Sequence, residues 1–501
     1  MRFLSACLGL FLGLMICVSA AAQEVFPLGS DRELFCDDTM IAAMTDCQIL
    51  VHQPVPQEVA ITCDKPWEGN SCGYWTVLYD DQARLYRAYA QGWSQADGVH
   101  PSHPLVITTY ESEDGIHWTR PNLGLFEWEG SKENNIIINE TPIHTECHDF
   151  SPFIDTNPNA KPEARYKGIG LTRKEGLFAY QSPDGIHWTP MSDKPVYTDG
   201  AFDTQNITFW SEKEQKYILY YRINPRDARR IARAVSDDFL HWTNEGELDF
   251  PEGEGPVPEA QYYTNGIRPY YRAPNIYIGF PARYIDNGLM RATEYLPGWD
   301  LRQERMTQET RFGTVVTDSV YITSRDGLHF RRSNEAFLPP GLKTKDNWAY
   351  GDNYLAWTVI ETDSLRDDCP RELSLYSTES YFTGTASPLR RYTLRIDGFG
   401  SVHAKNTIGE MVTRPFTFDG KELSLNLGTA AAGFVKMEFL DASGNPIPGF
   451  TLEECDMFFG DTLDWRCSWN GSTDVSSLAG KTVSLRFVMR EADLYSMKFE
   501  K

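Results

Sequence analysis

Four stretches of the chain set ionisable side chains immediately ahead of alternating apolar runs, where paired carboxylates could do acid–base or nucleophilic work. "CDKPWEGNSCGYW" carries Glu68 beside Trp67, "ECHDFSPFIDTNP" carries His148 and Asp149, "GAFDTQNITFW" carries Asp203 and Asn206, and "NWAYGDNYLAW" carries Asp352. A fifth, "YTNGIRPYYRAP" with the nearby "GFPARY", offers Asn265 and Arg283 but no acid. A carboxylate can protonate a leaving group, attack an electrophilic carbon or take a proton from water when a second polar group tunes it. An acid just before an apolar strand has little structural reason to be there, which makes Asp203 the strongest single candidate. Asp155 reads instead as a turn residue, because "DTNPNAKPEARY" is turn-rich. No phosphate-binding glycine loop, nucleophile elbow or metal-spaced His/Cys cluster occurs, so no metal and no other cofactor is expected.

What positions these groups is a repeat. "SEDGIHW", "SPDGIHW", "SDDFLHW" and "SRDGLHF" begin at Ser112, Ser182, Ser236 and Ser324, which lie 70, 54 and 88 residues apart. Each follows an aromatic, alternating run and reads as a turn between strands. Its Asp accepts backbone N–H bonds, its Gly takes positive φ, and its Trp or Phe drops between sheets. Repetition at equivalent outer positions makes the four histidines scaffold. Runs such as "ITFWSEKEQKYILYYRI" read as strand, turn, strand, and "STESYF" at 377–382 looks like a degraded fifth copy. Blade-sized spacing predicts an all-β, five-bladed β-propeller over 23–395, with "ELFCDDTMIA" at 33–42 closing the circle. Asp37 and Asp38, in that segment, read as a strand-end turn. From about residue 396, short strands joined by Gly/Asn/Asp turns predict a C-terminal antiparallel β-sandwich over 396–501.

Residues 1–22 read as a secretory signal, with Arg2, an apolar stretch and Ala20-Ala21-Ala22 before Gln23. The chain is therefore expected to be secreted or periplasmic, without a membrane span, and monomeric. Exported chains permit disulfides, and Cys63/Cys72, Cys455/Cys467 and Cys36/Cys47 are the short-range pairs. A net charge of −23 argues against nucleic-acid partners. Aromatic residues make up 13% of the chain, which suits both sugar-stacking clefts and Trp-punctuated repeats.

The S-x-D-G-x-x-W turns, "LFCDD", "CDKPWEG" and the trailing sandwich together resemble the five-bladed propeller glycosidases. These are the invertase- and fructosidase-like enzymes of glycoside hydrolase family 32, with their arabinanase and xylosidase relatives. The nearest likeness is to bacterial secreted proteins similar to the family 32 N-terminal domain. It spans the mature chain, including "RYTLRIDGFGSV" and "LAGKTVSLRF"; the fructosidase Trp-Met/Leu-Asn-Asp-Pro-Asn-Gly, Arg-Asp-Pro and Glu-Cys motifs are absent. The resemblance implies hydrolysis of glycosidic bonds in a polysaccharide or oligosaccharide by paired acids. Glu68 would then be the general acid, Asp203 the nucleophile or base, and Asp149 the group that binds sugar hydroxyls or stabilises the oxocarbenium-like state, with the roles free to permute. His148, Asn206, Asn265, Arg283 and Trp67 would hold the substrate, with Asp352 as reserve acid. The alternative is a non-catalytic carbohydrate-binding propeller. Two carboxylates facing each other across the funnel would favour hydrolysis, and a single acid would favour binding.

Overall fold

The computed structural model describes residues 25–95, 100–139, 147–172, 175–250 and 261–501; the leader-like stretch 1–22 lies outside them. Alternating aromatic and β-branched runs become strands because side chains on both faces of each sheet are buried between neighbouring sheets. Lys216–Ile223, "KYILYYRI", is buried along nearly its whole length. Five sheets form the blades of the propeller. The first three run from inner strands Gly73–Asp80, His148–Ile154 and Ile207–Ser211. The fourth begins at Arg268–Tyr270 and carries a hairpin extension, Ala282–Asp286, followed by a short helix, Trp299–Met306. The fifth runs outward from Ile360–Thr362.

The repeated heptapeptide is the turn after the third strand of the first three blades, and in the fourth it follows the long strand Val315–Ser324. In each copy the Ser hydroxyl accepts a backbone N–H three residues on at 2.9 Å. The Asp carboxylate accepts two more N–H groups, and its other oxygen lies 2.7 Å from the His Nδ1. These histidines are 61–87% exposed and finish the turn by their contact with its Asp. The turn also fastens its blade to the preceding one. Tyr220 of blade three donates to the Gly327 carbonyl at 2.7 Å, and Tyr376 of blade five donates to that of Gly115. At Gly327, with φ of +76°, a Cβ would fall 2.7 Å from the Tyr220 hydroxyl. In the third copy Phe239 takes the glycine position at φ of +70° and packs on Phe153 of blade two.

Two expectations are corrected here. "STESYF" is not a fifth copy: it follows the second strand of blade five, Glu372–Thr378, and delivers Tyr381 and Phe382 to the funnel. The circle is closed by Val55–Cys63, which pairs antiparallel with Ser387–Leu394 as the outermost strand of blade five. Residues 33–42 belong elsewhere. Glu33–Leu34 pairs with the last strand, Ser484–Glu500, and Ile41–Thr45 with Gly409–Thr413. Phe26–Gly29 and Cys47–Val51 also pair with strands beyond residue 399. The sandwich is thus built from both ends of the chain around a core that includes Phe416, Phe418, Phe439 and Phe499. Buried Asp397 joins it to the propeller, bonding Arg32 (3.2 Å) and Ser496 (2.8 Å) on one side and Arg272 (2.9 Å) and Tyr270 (2.8 Å) on the other. Arg325 of the fourth blade turn likewise holds Glu33 at 2.6 Å and Asp37 at 3.1 Å, while burial pushes the Glu33 carboxyl up to about 7.

The expected disulfides are absent: all eight cysteines of the described residues are free thiols. Cys63 and Cys72 are both fully buried, with the Cys63 sulfur 3.7 Å from the Tyr110 hydroxyl.

Trp188 of the second blade turn stands edge-on to Phe150 at 4.9 Å and donates its indole N–H to the Gly185 carbonyl at 3.0 Å. Trp188→Ala should therefore cost about 3–5 kcal/mol, read as a lower denaturation midpoint. An unchanged midpoint would show that this turn does not hold the blades together.

Candidate active site

Inner strands of the blades start at one end of the propeller, so the residues just before them face a common funnel. At the start of blade two the ladder slips between His148 and Ser151, and Asp149 adopts a φ of +56°. Blade one slips in the same way between Gly73 and Thr76, with Tyr74 at +52°. Such bulges re-aim side chains at functional sites. Here Asp149 is fixed by its backbone N–H, which donates to the Gln91 side chain at 2.8 Å.

The sequence candidates that come together are His148, Asp149 and Asp203. His148 Nε2 lies 3.1 Å from Asp149 Oδ2 and 3.1 Å from Asp203 Oδ1. Carboxylates only accept, so with both ionised Nε2 must carry the hydrogen between them. His148 and Asp149 are buried, whereas the Asp203 side chain is 59% exposed. Asp203 is thus the member of the group that a ligand can touch. One oxygen or nitrogen from each of the three lies within 4.8 Å of the others, a donor set that could also share a divalent cation.

Around this floor stands an aromatic wall that the sequence reading did not assemble. Tyr74 and Trp93 meet the His148 ring at 6.2 and 6.4 Å. Tyr263 stacks on Tyr354 at 5.4 Å and shares a hydroxyl contact of 2.9 Å with Tyr350. Phe382 lies beneath Arg305, whose guanidinium is 4.3 Å from its ring centre. Arg222 spans wall and floor, 5.1 Å over Tyr263 and 3.7 Å from Asp203 Oδ2. The available signal was its placement: it is the one charged residue inside "YILYYRI". Tyr381 and Phe382 gave no such signal, since their segment imitates the blade turn.

The remaining candidates are placed in structural roles. Glu68 is fully buried and saturated by Arg120 (2.6 and 2.9 Å), the Tyr110 hydroxyl (2.7 Å) and the Lys65 N–H (3.0 Å). It cannot serve as the general acid, because every oxygen already has a donor and none meets solvent. Trp67 donates to Asn135 at 2.8 Å on the outer part of blade one. Asn206 ties its own loop to the Phe202 and Thr204 carbonyls, and Asn265 reaches the Gln205 and Tyr220 carbonyls. Arg283 forms a two-pronged pair with Asp318 on the adjacent strand, at 2.8 and 2.6 Å. Asp352 is buried and accepts the N–H groups of Ala349 and Tyr381, which braces the loop carrying the wall.

Burial pushes the Asp352 carboxyl up to about 7 from 3.8. An acid raised in the folded state favours folding while protonated, so stability falls as the pH climbs from about 4 to about 7 and then levels. Asp352→Asn cannot titrate. The stability of wild type relative to this variant should drop across that window, by a few kcal/mol at most. Unfolding curves whose separation is the same at pH 4 and pH 8 would contradict it.

No family model matches the chain, and no curated protein sequence matches it. Among solved structures it is similar to a β-fructofuranosidase from Schwanniomyces occidentalis complexed with fructosyl-erythritol: 14% identity over 89% of this chain and 97% of that one, TM-score 0.42. It is also similar to a glycoside hydrolase family 43 arabinoxylan arabinofuranohydrolase from Bacillus subtilis: 11% identity, 90% and 99% covered, TM-score 0.40. A glycosyl hydrolase from Bacteroides ovatus matches at 12% identity, with 74% and 96% covered and a TM-score of 0.39. At this distance neither residues nor activities transfer to this chain.

Proposed function

We propose that the protein is a glycoside hydrolase acting in the funnel, with Asp203 as the carboxylate that meets the sugar. The observation that carries this is the exposed Asp203 bridged through His148 to a second, buried carboxylate. Trp93, half-buried against His148, can offer a ring face to the flat apolar side of a sugar, with the buried tyrosine cluster behind it. The Asp149 and Asp203 oxygens lie within 4.8 Å, closer to the spacing of retaining pairs, about 5–5.5 Å, than to the roughly 6.5–9.5 Å of inverting ones. In that reading Asp203 attacks the anomeric carbon, and the Asp149–His148 pair holds the proton that the departing oxygen takes. The leader-like sequence supports action on a polysaccharide or oligosaccharide outside the cytoplasm.

A second reading, a carbohydrate-binding propeller, is favoured by the burial of Asp149, which leaves Asp203 as the exposed carboxylate of the group. One experiment separates the two. The purified protein is assayed on a panel of aryl glycosides and oligosaccharides, alongside Asp203→Asn. An amide can neither attack nor accept a proton, so turnover should fall roughly 10²- to 10⁴-fold. Sugar binding and melting temperature should persist, because the side chain is largely exposed. Near-normal turnover in a folded Asp203→Asn protein would move the reaction to other residues. Wild-type protein that binds oligosaccharide and cleaves nothing on the panel would establish the binding reading.

A further inference from the structure

The central channel has a second mouth. At the end opposite the funnel, a cavity of about 690 Å³ is lined by residues of all five blades. The two ends do not communicate freely. Gln205, which leads into blade three, reaches across the axis to the Tyr74 and Trp75 carbonyls and the Thr76 hydroxyl of blade one. Trp357 of blade five fills the space beside it, bonded to Trp75 of blade one and Ile267 of blade four.

The far cavity is aromatic, and one of the cations in its lining, Arg268, has no ion-pair partner among the described residues. Tyr79, Phe209, Trp210, Tyr271 and Trp357 form its walls. Tyr79 and Tyr271 are large rings left 47% and 43% exposed at its rim. Arg268, the first residue of the inner strand of blade four, lines the same cavity, with its guanidinium carbon 5.9 Å from the Trp357 ring centre. Among the described residues its side chain forms no ion pair, and burial alone acts on it, bringing its pKa down to about 10. Of the other charges there, Glu212 is an exposed carboxylate of the lining and the rest are engaged. Glu361 pairs with Arg371 and accepts the Tyr271 hydroxyl, Lys213 donates to the Arg325 carbonyl, and Asp81 meets Arg165. The half-buried guanidinium, with no ion-pair partner of its own, keeps its N–H donors for a ligand. Its planar fork fits a carboxylate with two parallel hydrogen bonds, and the flat walls fit a ring attached to that carboxylate.

We propose that this far-end cavity is a second ligand site, for a small carboxylate carried on a ring, with the carboxylate on Arg268 and the ring against the aromatic wall. Uronic acids and aromatic acids share this chemistry. The test is calorimetric titration of the full protein with sodium galacturonate and sodium benzoate, set against galactose and benzyl alcohol as neutral counterparts. At least one acid should bind, its neutral counterpart should bind roughly tenfold more weakly or less, and added salt should weaken the acid. Arg268→Gln should reduce that binding by roughly tenfold to a hundredfold, and Arg268→Lys by less. Tyr271→Ala, a change at an exposed rim residue, should weaken it if the Arg268 variants do not fold. Asp203→Asn should leave it unchanged. The proposal fails if neither acid binds, if a neutral counterpart binds as tightly, or if the Arg268 and Tyr271 variants bind like wild type. Loss of binding in Asp203→Asn would place the acid in the funnel and equally overturn it.

Discussion

Everything at the funnel depends on one strand pairing, that of Val55–Cys63 with Ser387–Leu394. A propeller is an open stack of sheets until its first and last blades are joined, and open sheets expose edges that pair with anything available. Closing the circle fixes the distance of every inner strand from the axis. That in turn lets His148 and Asp149 of blade two, Asp203 before blade three, Tyr263 before blade four and Tyr354 of blade five share one space. Each Ser-x-Asp-Gly turn contributes locally, setting the spacing between one blade and the last. Gln205 contributes at the axis, where its amide hydrogen-bonds the strand on the opposite side.

Several buried ion pairs among the described residues hold blades in place. Arg165 with Asp80 ties blade two to blade one, Arg283 with Asp318 joins adjacent strands of blade four, and Arg391 with Glu58 braces the closing strand. Removing one partner of such a pair leaves an ion without compensation, so these acids are structural in the full sense. Asp203 differs in kind. Its carboxylate is half open to solvent and is approached by groups that orient it rather than bury it. Arg268 differs in another way, as a half-buried cation that forms no ion pair among the described residues.

How much of this was legible in the chain follows from how far apart the deciding partners lie. Four of the five blades were legible because each carries its own turn chemistry within seven residues. His148, Asp149 and Asp203 were legible because a polar group at the start of an apolar strand is a local oddity. Glu68 shared that oddity and misled, since Arg120 and Tyr110, which neutralise it, lie 52 and 42 residues away. Arg283 and Asp352 misled for the same reason, as Asp318 and the Tyr381 N–H come from other segments. The closing strand was illegible on principle: "VPQEVAITC" alternates like any edge strand, and its partner lies more than 300 residues on. Arg222 and the tyrosine wall look in sequence like ordinary blade interior.

The sandwich drawn from both chain ends has a consequence for how the molecule is made. Arg32 reaches Ser496 across 464 residues, and contacts of such separation form late because the loop between them must first be ordered. During synthesis the strands between residues 26 and 51 emerge first and wait, unpaired, while the whole propeller is translated behind them. Only the final strand, Ser484–Glu500, gives Glu33–Leu34 its neighbour. A chain that stops early therefore carries exposed apolar edges at its beginning as well as at its broken end.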